Sequence, residues 1–178
     1  MYNPLSTATT TARSTSVTLL RSARTSAAAL GNTWNLPAVV AAGYGNYTQT
    51  TLLEVAGRPA IAFQASVQND LHYIRAQDQF GAVWPFYAQP LHYNGGGSGY
   101  NAQMALVGGI PTIVFNAYSN TSVARAGDDI GATWSVELLA AHGQLVGGWN
   151  NGIADVNGLV GVAYHSYADD SLTYSIKY

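Results

Sequence analysis

The sequence predicts an all-β fold of repeated four-stranded antiparallel sheets, and three observations predict it. Tryptophan returns at a step of fifty residues, in Gly31-Asn-Thr-Trp34, Gly81-Ala-Val-Trp84 and Gly131-Ala-Thr-Trp134. Four short segments recur in one order around it, at 52–55, 60–64, 71–76 and 84–91. Each is rich in Val, Ile, Tyr and Phe and bounded by Gly, Asn or Asp, which marks strands; no 3.6-residue apolar period runs long enough to compete. Third, the first and second segments of each repeat are joined by Ala56-Gly57, Gly108-Gly109 or Asn157-Gly158, dipeptides suited to two-residue hairpins because Gly and Asn tolerate positive φ.

With the segments named A to D, each can be followed along the chain. The B segments Gly57-Arg-Pro-Ala-Ile-Ala-Phe63 and Gly109-Ile-Pro-Thr-Ile-Val-Phe115 are near copies, and Gly158-Leu-Val-Gly-Val-Ala-Tyr164 repeats them without the proline. The C segments are Leu71-His-Tyr-Ile-Arg75, Thr121-Ser-Val-Ala-Arg125 and Leu172-Thr-Tyr-Ser-Ile176. Each D strand is expected to start at its tryptophan, whose ring wedges between neighbouring sheets. The chain then supplies C and D at 16–40, A to D at 47–91 and again at 100–141, and A to C at 150–177, thirteen strands altogether. Antiparallel quartets repeated every fifty residues have the sequence appearance of propeller blades. The expected organisation is a Ser/Thr-rich arm over 1–15 and a repeat domain over 16–178, with repeats at 16–46, 47–99, 100–148 and 149–178, about three blades in all.

The turns before the tryptophans carry a resemblance. Asp129-Ile-Gly-Ala-Thr-Trp134 matches D-x-G-x-T-W, and Asp78-Gln-Phe-Gly-Ala-Val-Trp84 has one more residue between Asp and Gly; the copy at Trp34 has no aspartate. Over 16–178 the chain resembles the Asp-box (BNR-like) repeats of sialidase-type β-propellers. The resemblance implies a turn in which Asp78 or Asp129 caps backbone N–H groups, Gly81 or Gly131 allows the bend, and Trp34, Trp84 or Trp134 packs. It implies a fold and not a reaction.

A closed propeller typically needs at least four blades, and an open one leaves strand edges unpaired. Completion by further copies of the chain is favoured, since a symmetric copy can close a heterologous end; capping by partner chains and membership of a longer array are the alternatives. The arm 1–15 either adds a strand to a neighbour or is a disordered terminus.

Composition narrows the function classes. Only 9% of the 178 residues are charged and the net charge is -2, so no basic footprint for nucleic acid exists. The absence of cysteine removes disulfides and thiolate chemistry. No run reaches the roughly 18 apolar residues of a membrane span, and residues 1–29 contain no apolar core of a secretory signal. A surface of Ser, Thr, Asn, Gln, Gly and Tyr fits an extracellular or virion-surface protein.

Catalysis of the sialidase kind needs converging arginines, a Tyr–Glu pair and an acid. Arg75 and Arg125 share one repeat position, with Arg21 a looser third, but Asp78 and Asp128 or Asp129 stand close by and local Arg–Asp pairing is the expected outcome. The two glutamates, Glu54 and Glu137, occupy unrelated repeat positions. No nucleophile elbow, zinc motif or phosphate loop is present, so no catalytic residue, metal or cofactor is expected. His92 and His142, fifty apart, read as polar strand-end residues.

A binding face has more support. The D–A connections are glycine-rich and each delivers an aromatic, Tyr47, Tyr100 or Trp149, while the B–C loops at the same end carry Asn69, Asp70, Asn120, Asp169 and Asp170. Aromatic platforms beside amides and carboxylates suit a glycan, whose C–H face stacks while its hydroxyls are hydrogen-bonded; sealing of the blade ends is the structural alternative. The leading expectation is a non-enzymatic structural or attachment component of a virion or cell envelope, with itself or other surface proteins as partners. A lectin-like module that closes its ring by oligomerisation comes second, and a sialidase-like hydrolase third.

Overall fold

In the structure, a computed structural model, the described residues are 39–44, 47–92, 97–118, 120–141, 150–166 and 169–178, without the side chains of 47 and 48. The expected strands at 16–38, the arm 1–15, Trp34, His142 and Trp149 lie outside them. Every described element is a strand: β1 (Tyr47–Val55), β2 (Arg58–Ala65), β3 (Asp70–Arg75), β4 (Gln89–His92), β5 (Ser98–Val107), β6 (Ile110–Ala117), β7 (Asn120–Ala126), β8 (Trp134–Ala141), β9 (Asn151–Val156), β10 (Leu159–Ser166) and β11 (Ser171–Lys177). They form three antiparallel sheets in chain order, β1-β2-β3-β4, β5-β6-β7-β8 and β9-β10-β11.

The hairpins follow from the dipeptides. In the β1–β2, β5–β6 and β9–β10 turns both central residues have positive φ: Ala56 and Gly57, Gly108 and Gly109, Asn157 and Gly158, the conformation that continues the twist of the flanking strands. Ala56 stands out, at φ 44°, because a Cβ in the left-handed region costs about 1–2 kcal/mol. Ala56→Asn is therefore expected to stabilise the fold by about 1 kcal/mol, read as a rise in the denaturation midpoint.

The second sheet is buried on both faces, and its composition shows why. On one face Met104, Ile113, Phe115 and Ala124 pack with Val55, Ala60, Ala62, Leu71 and Tyr73 of the first sheet. On the other, Val107, Val114 and Val123 pack with Val160, Val162 and Tyr164 of the third. A strand covered on both sides is mostly apolar, and Ile110–Ala117 is broken only by Thr112 and Asn116, both buried. The outer face of the first sheet, with Phe63, Ala65 and Ile74, is covered by Val40, Ala41, Tyr44 and Trp84. The first strands lie against one another, β1 on β5 and β5 on β9, whereas the last strands β4 and β8 barely touch. The sheets thus spread apart from their first strands to their last.

One strand departs from expectation. The first sheet's D strand begins at Gln89 and not at Trp84, while β8 begins at Trp134. Pro85 follows Trp84 where Ser135 follows Trp134, and proline has no N–H to give to a ladder and restrains the residue before it.

Candidate functional site

The repeated turn is built by its carboxylate. Asp78 accepts bonds from the backbone N–H groups of Phe80 (2.8 Å), Ala82 (3.2 Å) and Val83 (2.6 Å). Fifty residues on, Asp128 accepts from Ile130 (3.1 Å), Ala132 (2.9 Å) and Thr133 (3.2 Å). The capping residue is therefore Asp128 and not Asp129. A carboxylate must reach the N–H groups two, four and five residues ahead, and only the D-x-x-G spacing shared by Asp78 and Asp128 permits it. Trp84 and Trp134 close their turns, Nε1 donating to the carbonyl of Gly81 and of Gly131 respectively, at 2.8 Å. These bonds, led by Ala82 and Ala132, hold both carboxyls below the usual carboxylate range. A depressed folded-state value contributes stability above the ordinary carboxylate pKa that is lost as pH falls through the lowered one. Asp128→Ala is expected to lower the unfolding temperature at neutral pH, and Asp129→Ala to leave it in place.

Arg75 and Arg125 do not pair with these aspartates. Arg75 donates from Nε to the Val55 carbonyl and from Nη2 to that of Ala56, both at 2.9 Å. Arg125 donates to Thr112 Oγ1 (3.1 Å) and the Val107 carbonyl (3.2 Å). Antiparallel register brings the end of each C strand beside the A–B hairpin, whose carbonyls are nearer than the turn carboxylates, so each guanidinium clamps its own sheet. Asp155 ties two hairpins together, accepting from Gly108 N–H at 2.7 Å and Gly158 N–H at 2.6 Å.

The predicted glycan residues are only partly brought together. The Tyr47 side chain and Trp149 lie outside the described residues. Tyr100 is exposed on β5, and its strand is anchored to the B–C loops: Ser98 N–H donates to the Asn69 carbonyl (2.8 Å) and Tyr118 N–H to that of Gly97 (2.9 Å). Asn69 holds φ 55° there, and Asn120 opens β7 half-buried. Asp169 and Asp170 bond locally on the third sheet, to Ser171 Oγ (2.7 Å) and His165 Nε2 (2.9 Å). Asp70 departs from expectation. It is buried, its Oδ1 has no hydrogen-bond partner, and burial raises its pKa. As the first residue of β3, paired with Ala65, it is carried inward by the strand and presents no carboxylate to an exposed sugar.

Sequence reasoning missed an amide ladder along the first strands. Gln49 Nε2 donates to Asn101 Oδ1 at 2.7 Å, and Asn151 Nδ2 donates to the Asn101 carbonyl (3.2 Å) and Asn116 Oδ1 (3.1 Å). The near-fifty spacing of 49, 101 and 151 was its visible signal. It missed His72 as well, buried among Tyr44 and Phe63 with ring centroids at 5.0 and 5.6 Å. Burial lowers that imidazole to about 4, so it is neutral when folded. The unfolded chain then binds the extra proton, and stability is expected to fall as pH drops from about 6.5 towards 4. His72→Phe is expected to flatten that part of a stability–pH profile.

His92, last residue of β4, sets its Nδ1 3.0 Å from Ser98 Oγ and its ring 5.5 Å from that of Phe115. Beside it a cleft of about 290 Å³ is lined by His92, Asn120, Ser122, Glu137 and Leu138. Among the described residues no group of three His, Asp or Glu is placed to hold a metal, and no helix is long and apolar enough to cross a membrane. No family model, curated protein or solved structure matches the chain, so its likeness to Asp-box repeats rests on its own turns.

Proposed function

We propose that this chain is a non-enzymatic structural or attachment component of an exterior surface, a virion or a cell envelope, whose sheets act as successive blades of a propeller-like array completed by a second copy. The observation that carries this reading is the edge of the third sheet. β3 and β7 each take a fourth strand, whereas β11, at the same place, bonds to β10 alone among the described strands. The face of that sheet turned away from the second carries Leu172 and Tyr174, 83% and 59% exposed, beside Val156 and Leu159. An unpaired edge joined to an apolar face is a surface that seeks a partner, and a copy of the chain brings matching strands. The small charged fraction, 9%, suits a molecule packed among neighbours. Arg75 and Arg125 bonded to backbone carbonyls speak against a carboxylate-binding arginine cluster.

Light scattering on the purified chain tests the reading. A concentration-dependent oligomer is expected, reduced to monomer by Leu172→Lys with Tyr174→Glu while the thermal transition stays in place. A monomer at every concentration overturns completion by a second copy, and turnover of a reporter sialoside overturns the non-enzymatic role.

A further inference from the structure

Because the sheets spread from their first strands, a wedge opens between the outer strands of each neighbouring pair. The two wedges share a position and differ in chemistry. Between the second and third sheets a cleft of about 240 Å³ is lined by Val123, Val160 and Val162, and Lys177 spans it to Glu137 at 2.6 Å. That wedge is apolar and clamped. Between the first and second sheets the cleft of about 290 Å³ is lined by His92, Asn120, Ser122 and Glu137, with Leu138 as its largest apolar group.

Register accounts for the difference. Ala117 pairs with Asn120, and Ser122 with both Phe115 and Leu138, so Asn120 and Ser122 share the face that looks at the first sheet while Val123 takes the opposite face. His92 is held at the mouth by Ser98 and Phe115, and burial keeps its pKa below the ordinary imidazole value. It meets a ligand as a neutral ring.

We infer that this outer cleft binds one ring of a neutral saccharide, through Asn120, Ser122 and His92 with Leu138 against the C–H face. Three ligand classes can be weighed on its lining. An anion would find no lysine or arginine in the lining to pair with. A purely apolar molecule would strand an amide, a hydroxyl and an imidazole, each costing about 1–3 kcal/mol when desolvated unpaired. A sugar offers adjacent hydroxyls that both donate and accept, and an apolar ring face for Leu138, which is 60% exposed. Small-molecule sites run from about 300 to 1,000 Å³, so this cleft takes a single ring. Of the loop-face residues that the sequence pointed to, Asn120 lines it and Tyr100 does not, and the inference does not depend on the self-assembly reading.

Saturation-transfer NMR on the full chain with galactose, glucose and N-acetylglucosamine, and with N-acetylneuraminic acid as the anionic comparison, tests it. At least one neutral sugar is expected to bind, with affinity falling about tenfold in Asn120→Ala and in Ser122→Ala, the loss expected for a deleted buried hydrogen bond. Leu138→Arg, at an exposed position that tolerates the change, is expected to abolish binding without moving the unfolding transition. Tyr100→Ala is expected to leave binding unchanged. The inference is overturned if no neutral sugar binds, if binding survives Leu138→Arg, if the anionic sugar binds more tightly, or if Tyr100→Ala alone removes the signal.

Discussion

Phe115→Ala is expected to destabilise the chain by about 3–5 kcal/mol, a large share of the roughly 5–15 kcal/mol that holds a domain of this size together. Phe115 is completely buried in β6, an interior strand of the middle sheet, and faces the first sheet. Its cluster joins Leu71 and Tyr73 of the first sheet to Met104 and Ile113 of the second, so its removal opens a void at the junction of two sheets. Both sides of that void are ladder-bonded strands that collapse poorly onto a cavity, which places the cost high in its range. His92 leans on the same ring, so any ligand affinity of the outer cleft is expected to weaken with it. Chemical denaturation measures the first effect. Leu52→Ala, in an apolar position that is 69% exposed, is the comparison, with an expected change within about 0.5 kcal/mol.

Local features of this fold were legible and distant ones were not. The three hairpins could be read because a two-residue turn is specified by its own dipeptide. The B strands could be read because their Val, Ile, Tyr and Phe content recurs between turn residues, and Ile113–Phe115 is the plainest case. Trp84 repeats the word of Trp134 without starting a strand, because Pro85 follows it and has no N–H for the ladder. Asp129 fits the letters of D-x-G-x-T-W, but the fifty-residue step that links Asp78 to Asp128 carries the geometry. The partners of Arg75 and Arg125 are set by register about twenty residues away, and no local pattern records a backbone carbonyl. The outer cleft is further still from the sequence. His92 and Glu137 come from different sheets, and nothing in either segment announces that the sheets diverge there. Asn120 was visible as a polar loop residue, but the face it takes is set by its pairing with Ala117 across β6 and β7.

The second large effect separates two glycines that read alike. Gly81 and Gly131 hold the same place in the turn, both with positive φ, 68° and 76°, so any Cβ at either costs about 1–2 kcal/mol. What surrounds them differs. A Cβ at Gly81 would meet Pro59 Cγ at 3.3 Å and Trp84 Cζ2 at 3.5 Å, contacts that a small shift relieves. A Cβ at Gly131 would stand 2.8 and 2.9 Å from Tyr73 Cε1 and Cζ and 3.0 Å from Trp134 Cζ2. Neither ring there can yield easily. Tyr73 belongs to the first sheet, its hydroxyl donates to the Ile130 carbonyl at 3.1 Å, and its ring lies 5.0 Å from that of Trp134. The turn of the second sheet is thus docked on the first through this aromatic pair, and overpacking it adds about 1–3 kcal/mol to the backbone cost. Gly131→Ala is expected to destabilise by about 2–5 kcal/mol and Gly81→Ala by only the backbone share of about 1–2 kcal/mol. Tyr73→Leu in the Gly131→Ala background is expected to recover part of the difference, because it removes the rigid ring that the methyl strikes. Equal losses in the two single variants, or no recovery in the double, would mean that the turn does not hold the two sheets together.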